Sequence, residues 1–181
     1  MADNKFPSEI IDLPSEGKLY PEGHACSDGK IEIKYMTARE EDILTSQNLI
    51  KKGVVIDRLL DSLILTSGVK SNDLLLGDKN AVMVAARILA YGPEYACEVM
   101  NPETGEPVSH TFNLADCPFK KLPKKTKENK FEVNLPVSKS KIVFKLLTGN
   151  EEELITKDLN ASKKIGTAVS PELTTLLRYS V

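Results

Sequence analysis

The chain has 181 residues (20.0 kDa), of which 41% are hydrophobic and 28% are charged, with a net charge of −2. This composition is typical of a folded globular protein and excludes a largely disordered chain. Its 24 basic and 26 acidic residues nearly balance, and no apolar run has the length of a membrane span. We therefore expect neither nucleic acid nor a membrane as a partner.

The first informative segment is an extended lead-in at residues 11–23. Two prolines and two glycines within these 13 residues prevent a helix and favour a path interrupted by turns. Leu13, Leu19 and Tyr20 still supply apolar side chains. We expect them to dock on a neighbouring helical unit and to order the lead-in, which would pair with a strand at residues 29–35.

Three helices are predicted after this strand. The spacing Thr37-x-x-Glu40 is typical of a capping box and begins a helix over 37–52, ended by Gly53. A second helix is predicted over 54–66, stopped by Gly68. Asn72 or Asp73 is expected to cap a turn at 74–76, and Asp78 to cap a third helix over 78–91, which ends in Gly92 and Pro93.

The pattern then changes to the alternation of strands. Residues 95–99 and 108–114 predict a hairpin with a polar tip at 101–107. Six lysines at 120–130 predict a linker. A second hairpin is predicted from 131–136 and 141–147, followed by a helix capped by Asn150 and a last helix near 170–179, with Ser170 as its cap.

These elements predict an α+β fold: an N-terminal helical unit with an extended lead-in, followed by β-hairpins and C-terminal helices. The predicted division is 1–119 for the lead-in, three helices and first hairpin, 120–130 for the lysine-rich linker, and 131–181 for the second hairpin and helices.

No chemical motif emerges from the sequence, so no catalytic, cofactor-binding or metal-ligating residue is predicted. Cys26, Cys97 and Cys117 are an odd number at wide spacings, which favours free thiols in a reducing cytosol. A metal site assembled from Cys97, His110 and Cys117 is an alternative, but burial of thiols is the more common outcome. We expect no stoichiometric metal.

Arg87 and Tyr91 lie one helical turn apart and share a face. Two interpretations stay open: a packed pair within the domain, or a contact with a partner. Together with the lead-in side chains they are the predicted partner-contact residues: Leu13, Leu19, Tyr20, Arg87 and Tyr91.

Several segments, in this order, resemble the T4-type bacteriophage baseplate hub assembly proteins. They are residues 11–21, 36–44, 76–79, 87–92 with Tyr95, and 144–149. Many relatives carry closely spaced cysteines at the tip of the first hairpin, whereas this chain has only Cys97 nearby. The resemblance therefore does not imply a zinc knuckle in this chain. Relatives also continue beyond the last leucine-rich helix.

The resemblance implies a non-enzymatic, chaperone-like assembly factor of the phage tail, made late in infection. Its partners would be other baseplate hub or tape-measure proteins, in the cytoplasm of the infected bacterial host; self-association is left open. The first alternative is a structural hub component retained in the tail baseplate of the virion. An alternative of another class is a small cytosolic enzyme that uses Cys97 or Cys117.

Overall fold

The computed structural model describes residues 6–120, 122–164 and 171–181. Within these ranges the chain forms six α-helices and three two-stranded antiparallel sheets, which confirms the predicted α+β class. The division into 1–119, 120–130 and 131–181 stays a prediction.

The elements follow one another in the order that the sequence patterns indicate, with some boundaries shifted. The strands are β1 Ser8–Asp12, β2 Lys30–Lys34, β3 Glu94–Met100, β4 Pro107–Asn113, β5 Phe131–Asn134 and β6 Lys141–Phe144. The helices are α1 Ala38–Thr45, α2 Gln47–Lys52, α3 Val55–Leu63, α4 Leu76–Tyr91, α5 Gly149–Lys164 and α6 Glu172–Ser180.

The main core lies between the first sheet and helices α3 and α4. Strand β1 pairs with β2 from Ser8↔Lys34 to Asp12↔Lys30. Alternation along β2 points Ile31 and Ile33 inward, where both are buried. They pack in one cluster with apolar residues of the lead-in, the helices and the loops between them: Leu13, Cys26, Leu59, Leu60, Leu63, Val69, Leu74, Val82 and Ala86.

The single helix predicted over 37–52 is wrong, because Ser46 has an extended backbone and separates α1 from α2. The hydroxyl of Thr45 donates to the carbonyl oxygen of Glu41 at 3.0 Å. Such side-chain bonds to the preceding turn weaken and bend helices, and serine is itself a poor helix former. The predicted end of the segment at Gly53 is confirmed.

Helix α3 ends at Leu63, three residues before the predicted end at Thr66. Ile64 leaves the helix to form an antiparallel bridge with Ile33 of β2. The amide of Leu65 donates to the carbonyl oxygen of Glu32, and the Glu32 amide donates to the hydroxyl of Thr66. These bonds to the sheet replace the last helical turn.

Three predicted caps and turns are also wrong. The turn expected at 74–76 is a 3-10 turn at Ser71–Asp73, and α4 begins at Leu76, so Asp78 lies inside its first turn. Helix α5 begins at Gly149, where Thr148 donates its amide to Glu151 at 2.7 Å, so Asn150 is not the cap. The predicted cap Ser170 lies outside the described residues.

Both predicted hairpins are confirmed. In the first, β3 and β4 pair from Glu94↔Asn113 to Met100↔Pro107, and in the second, β5 pairs with β6. Helix α4 ends at Gly92 as predicted.

The second hairpin and α5 attach to the start of α4 through backbone bonds. The Leu76 amide donates to Leu147 at 2.9 Å, and the Gly149 amide donates to Leu74 at 3.0 Å. A Cβ on Gly149 would lie 2.7 Å from the Cα of Asn72, so glycine permits this close approach.

Candidate interaction surfaces

The lead-in is held to α4 by a buried carboxylate, Asp78, which is 1% exposed. Its two oxygens accept hydrogen bonds from the amide of Ser15 at 2.9 Å and from the hydroxyl of Tyr20 at 2.7 Å. The Tyr20 oxygen in turn accepts from the amide of Leu75 at 3.1 Å. Leu13 and Leu19 are buried beside this network, so the predicted docking of the lead-in is confirmed.

The strand that pairs with β2 lies mostly before the segment in which pairing was predicted. Ser8–Asp12 forms the pairs, and only the bond from the Leu13 amide to Gly29 continues the contact.

Burial, followed by the neighbouring charge of Asp78, raises the pKa of Tyr20, so its hydroxyl keeps its proton and donates at all ordinary pH values.

We expect the lead-in to be ordered in the isolated protein. The amides of Leu13, Glu16 and Tyr20 donate to backbone carbonyl oxygens and should be protected from hydrogen exchange. Tyr20→Phe should lower the free energy of unfolding by about 1–3 kcal/mol, because it leaves the Leu75 amide without its acceptor. Complete exchange of these amides within the dead time of the wild-type measurement would contradict the docked state.

A second buried carboxylate, Glu40 of α1, joins the strand β2 to helices α1 and α3. It is fully buried and accepts four hydrogen bonds. Oε1 accepts from Lys34 Nζ at 2.8 Å and from Ser62 Oγ at 2.6 Å. Oε2 accepts from the Thr37 amide at 3.0 Å and the Thr37 hydroxyl at 2.6 Å. Burial alone would raise the pKa of Glu40, but the hydrogen bonds from Lys34, Ser62 and Thr37 lower it to about 2.

Thr37→Ala should lower the free energy of unfolding by about 1 kcal/mol, the usual size of a lost N-cap. The change removes the hydroxyl that donates to Glu40 while leaving the amide bond in place. Chemical denaturation measures the effect, and Thr37→Ser, which keeps the hydroxyl, is the control. An unchanged midpoint for the alanine variant would show that the hydroxyl contributes nothing.

Arg87 packs against two tyrosines at the end of α4. Its guanidinium carbon lies 4.6 Å from the centre of the Tyr91 ring and 5.9 Å from that of Tyr95. Arg87 also donates to the carbonyl oxygen of Gly92, and the Tyr91 hydroxyl donates to Glu41. The packed pair is therefore present within the chain. The ring of Tyr91 remains 51% exposed, so a partner can still reach it.

Next to this cluster, the β3–β4 hairpin has one apolar face that no other part of the described ranges covers. Three directly opposed pairs form it, Tyr95↔Phe112, Cys97↔His110 and Val99↔Val108. We call these six residues the apolar hairpin face. Its tyrosine, phenylalanine and valines are 44–50% exposed. The opposite face is more polar and carries Glu94 and Glu98, with Met100 opposite Pro107 at its end near the tip.

A second uncovered apolar surface lies between the β5–β6 hairpin and α6. Leu176 and Leu177 of α6 are 45% and 48% exposed, and they line a groove with apolar residues of the hairpin: Val133, Leu135, Ile142 and Phe144.

The cysteines do not form a recognisable reactive site. Cys26 is buried in the core, where burial and the charge of Asp78 raise its pKa to about 11, so it stays a neutral thiol. Cys97 is half-buried opposite His110, and Cys117 is exposed. Among the residues that the structure describes, no group of three or more His, Cys, Asp or Glu side chains is placed to hold a metal ion. The absence of metal stays a prediction, which elemental analysis of purified protein tests.

The predicted partner-contact residues therefore fall into two places. Leu13, Leu19 and Tyr20 contact the chain's own core, whereas Arg87 and Tyr91 lie at the base of the exposed hairpin. As partner contacts all five stay a prediction. The apolar hairpin face was not among the predicted partner-contact residues, although the alternation from Tyr95 to Val99 and from Val108 to Phe112 places these side chains on one side.

Comparison with known proteins gives one match. The model of a family described as T4 bacteriophage base plate protein matches residues 7–159, which is most of the chain. No curated protein and no solved structure matches it. Within the described ranges, no helix combines the length and apolar character needed to cross a bilayer.

Proposed function

Because this chain belongs to the T4 bacteriophage base plate protein family, and so has a role in the phage tail baseplate, we propose that it is a non-enzymatic assembly factor of the baseplate hub. It acts through contacts with other baseplate proteins, among them hub or tape-measure proteins, in the cytoplasm of the infected host. Its task is to hold a hub subunit until the symmetric hub closes.

The observation that carries this proposal is the apolar hairpin face. Its aromatic rings and valines remain 44–50% exposed beside a core in which comparable side chains are buried. Aromatic side chains left exposed together on one sheet face are typical of surfaces through which proteins bind partners. An assembly factor needs such a surface while its partner is still incomplete.

Mass spectrometry of purified mature tails separates an assembly factor from a retained hub component. We expect the protein to be missing or strongly substoichiometric in tails, and present in lysates of cells that are assembling them. A constant stoichiometric amount in mature tails would overturn the assembly-factor assignment and favour the structural component.

Co-expression with each hub and tape-measure protein of the same phage, followed by pull-down, tests the partner class. We expect at least one of these proteins to co-purify. Cys97→Ala, which keeps the hairpin face apolar, combined with Cys117→Ser should leave tail assembly intact, since the proposed role uses no thiol chemistry. Loss of assembly in that double variant, with an unchanged fold, would favour the cysteine-dependent enzyme instead.

A further inference from the structure

Within residues 6–120, 122–164 and 171–181, nothing forms the covering layer that the amphipathic pattern of the hairpin β3–β4 favours. Two-stranded hairpins are at best marginally stable in water and usually need a third strand or a packed layer. Here every residue of β4 is exposed, and β3 has only Cys97 half-buried. A sheet with one apolar and one polar face is the pattern of a surface covered on the apolar side.

Both long edges of the hairpin are also open. Strands β3 and β4 pair with each other and with no further strand among the described residues. Each therefore presents a row of backbone donors and acceptors to which an extended segment can add as a third strand. Alternate side chains of such a segment project on the same side as the apolar hairpin face and pack against its edge side chains, while the backbone pairs along the edge.

The charged residues of the hairpin indicate what kind of segment a partner supplies. Residues 88–119, which include the whole hairpin, contain no lysine or arginine and five acidic residues: Glu94, Glu98, Glu103, Glu106 and Asp116. None of the ion pairs among the described residues involves these carboxylates. Glu103 and Glu106 make the tip acidic, whereas at the base Asp116 in the turn after β4 is accompanied by Arg87, whose guanidinium carbon lies 5.9 Å from the centre of the Tyr95 ring.

A second copy of the chain is a poor occupant. Seven residues at about 3.3 Å each and two strands about 4.8 Å apart give a face of roughly 230 Å². Two such faces together would bury far less than the roughly 1,600 Å² of a standard interface. Stacking two copies would also bring like charges together, which opposes association.

We propose that the β3–β4 hairpin docks an extended, apolar segment flanked by lysine or arginine, supplied by another baseplate protein. The segment adds to an open strand edge, its alternate apolar side chains pack beside those of the apolar hairpin face, and its basic residues meet the carboxylates at the tip. Tyr95 and Phe112 are the aromatic anchors, since aromatic side chains dominate the energetics of such interfaces. The inference rests on the proposed function, because it takes the partner from the baseplate.

The test uses the full chain and three double variants, with each hub and tape-measure protein of the same phage as the probe. Val99→Thr with Val108→Thr removes apolar surface from a facing pair but keeps β-branched side chains. Glu103→Gln with Glu106→Gln neutralises the tip. Ala96→Ser with Thr111→Ser alters a facing pair on the polar side and is the matched control.

We expect the valine variant to weaken binding about tenfold and the control to stay within about twofold of wild type. The glutamine variant should bind more weakly at low salt and respond less to added salt. All variants should keep the wild-type denaturation midpoint, because their side chains lie outside the core. Hydrogen exchange should show the amides along one open edge of the hairpin, which are not bonded between β3 and β4, protected in the complex only.

Three results would overturn the inference. Binding of a baseplate protein with equal strength by wild type and the valine variant would place the interface elsewhere and leave the proposed function standing. No binding of any probe, by wild type or variant, would remove both. Sedimentation showing a wild-type dimer that the valine variant loses would assign the face to a second copy.

Discussion

Replacing Glu40 with glutamine is expected to lower the free energy of unfolding by about 3–5 kcal/mol, the cost of removing one partner of a buried ion pair. The Lys34 ammonium is 8% exposed in its side chain and would lose its counter-charge. The glutamine amide also presents a donor where the carboxylate accepts from Ser62 or Thr37. Urea denaturation, read as midpoint and slope, measures the change.

Two control variants distinguish the loss of this buried network from the general effect of removing a carboxylate. Asp42→Asn changes an exposed carboxylate on the same helix and should shift the stability by less than about 0.5 kcal/mol. Glu40→Leu combined with Lys34→Met removes both charges but leaves Thr37 and Ser62 without their acceptor, so it should recover only part of the lost stability. A single Glu40→Gln variant as stable as wild type would mean that the buried network contributes little.

The same carboxylate predicts how stability depends on pH. The pKa of Glu40 is lowered from an ordinary value of 4.5 to about 2 in the folded state. Its contribution is therefore complete above pH 4.5 and is lost as the pH falls towards 2, because the unfolded chain takes up the proton first. Wild type should lose stability over this interval more steeply than Glu40→Gln. Parallel pH profiles of the two proteins would rule out this contribution.

The second large effect is expected for Gly17→Ala in the lead-in. Gly17 has φ +73°, and a Cβ there would lie 2.4 Å from the carbonyl oxygen of Ser27 and 2.5 Å from the amide nitrogen of Gly29. Both contacts are backbone, which has no rotamer to change. Strain at positive φ adds to the clash, so we expect a loss of about 3 kcal/mol or more.

Gly23→Ala is the matched control. Gly23 has a similar φ of +82°, but a Cβ there meets nothing within 4 Å, so the change costs only the strain of about 1–2 kcal/mol. Hydrogen exchange should show the Leu13 and Tyr20 amides losing protection in Gly17→Ala only. Equal midpoints for the two variants would contradict the close packing of Gly17 against residues 27–29.

The sequence predicted those elements whose signals are local. The alternation of apolar and polar residues predicted strand β2 and both hairpins. Glycine marked the end of α2, and glycine followed by proline marked the end of α4. These signals need no knowledge of the rest of the fold, because the period of a strand and the backbone demands of a helix end act within a few residues.

Boundaries set by distant contacts could not be predicted in this way. Helix α3 ends early because Ile64 pairs with Ile33, about thirty residues before it in the chain. Asp78 has the sequence context of a helix cap, yet its carboxylate binds the lead-in through Ser15 and Tyr20. Nothing near Asp78 in the sequence indicates those partners.

The candidate surfaces likewise divide into features that local sequence patterns predict and features that depend on distant contacts. The spacing of Arg87 and Tyr91 predicted that they share a face, which the cation–π contact confirms. The apolar hairpin face was visible as alternation, but alternation predicts only that one face is apolar. Whether the chain itself covers that face depends on tertiary packing.

Two segments that are far apart in the sequence bind to residues 74–78 at the start of α4. Leu75 and Asp78 receive the lead-in, while Leu74 and Leu76 receive residues 147–149. A nascent chain can dock its lead-in early in synthesis, but this turn has free backbone groups until residue 149 has left the ribosome. The two distant segments thus bind to the same short stretch of chain. A substitution that displaces one segment is therefore expected to weaken the binding of the other. The start of α4 has its full set of backbone partners only in a chain that extends to residue 149.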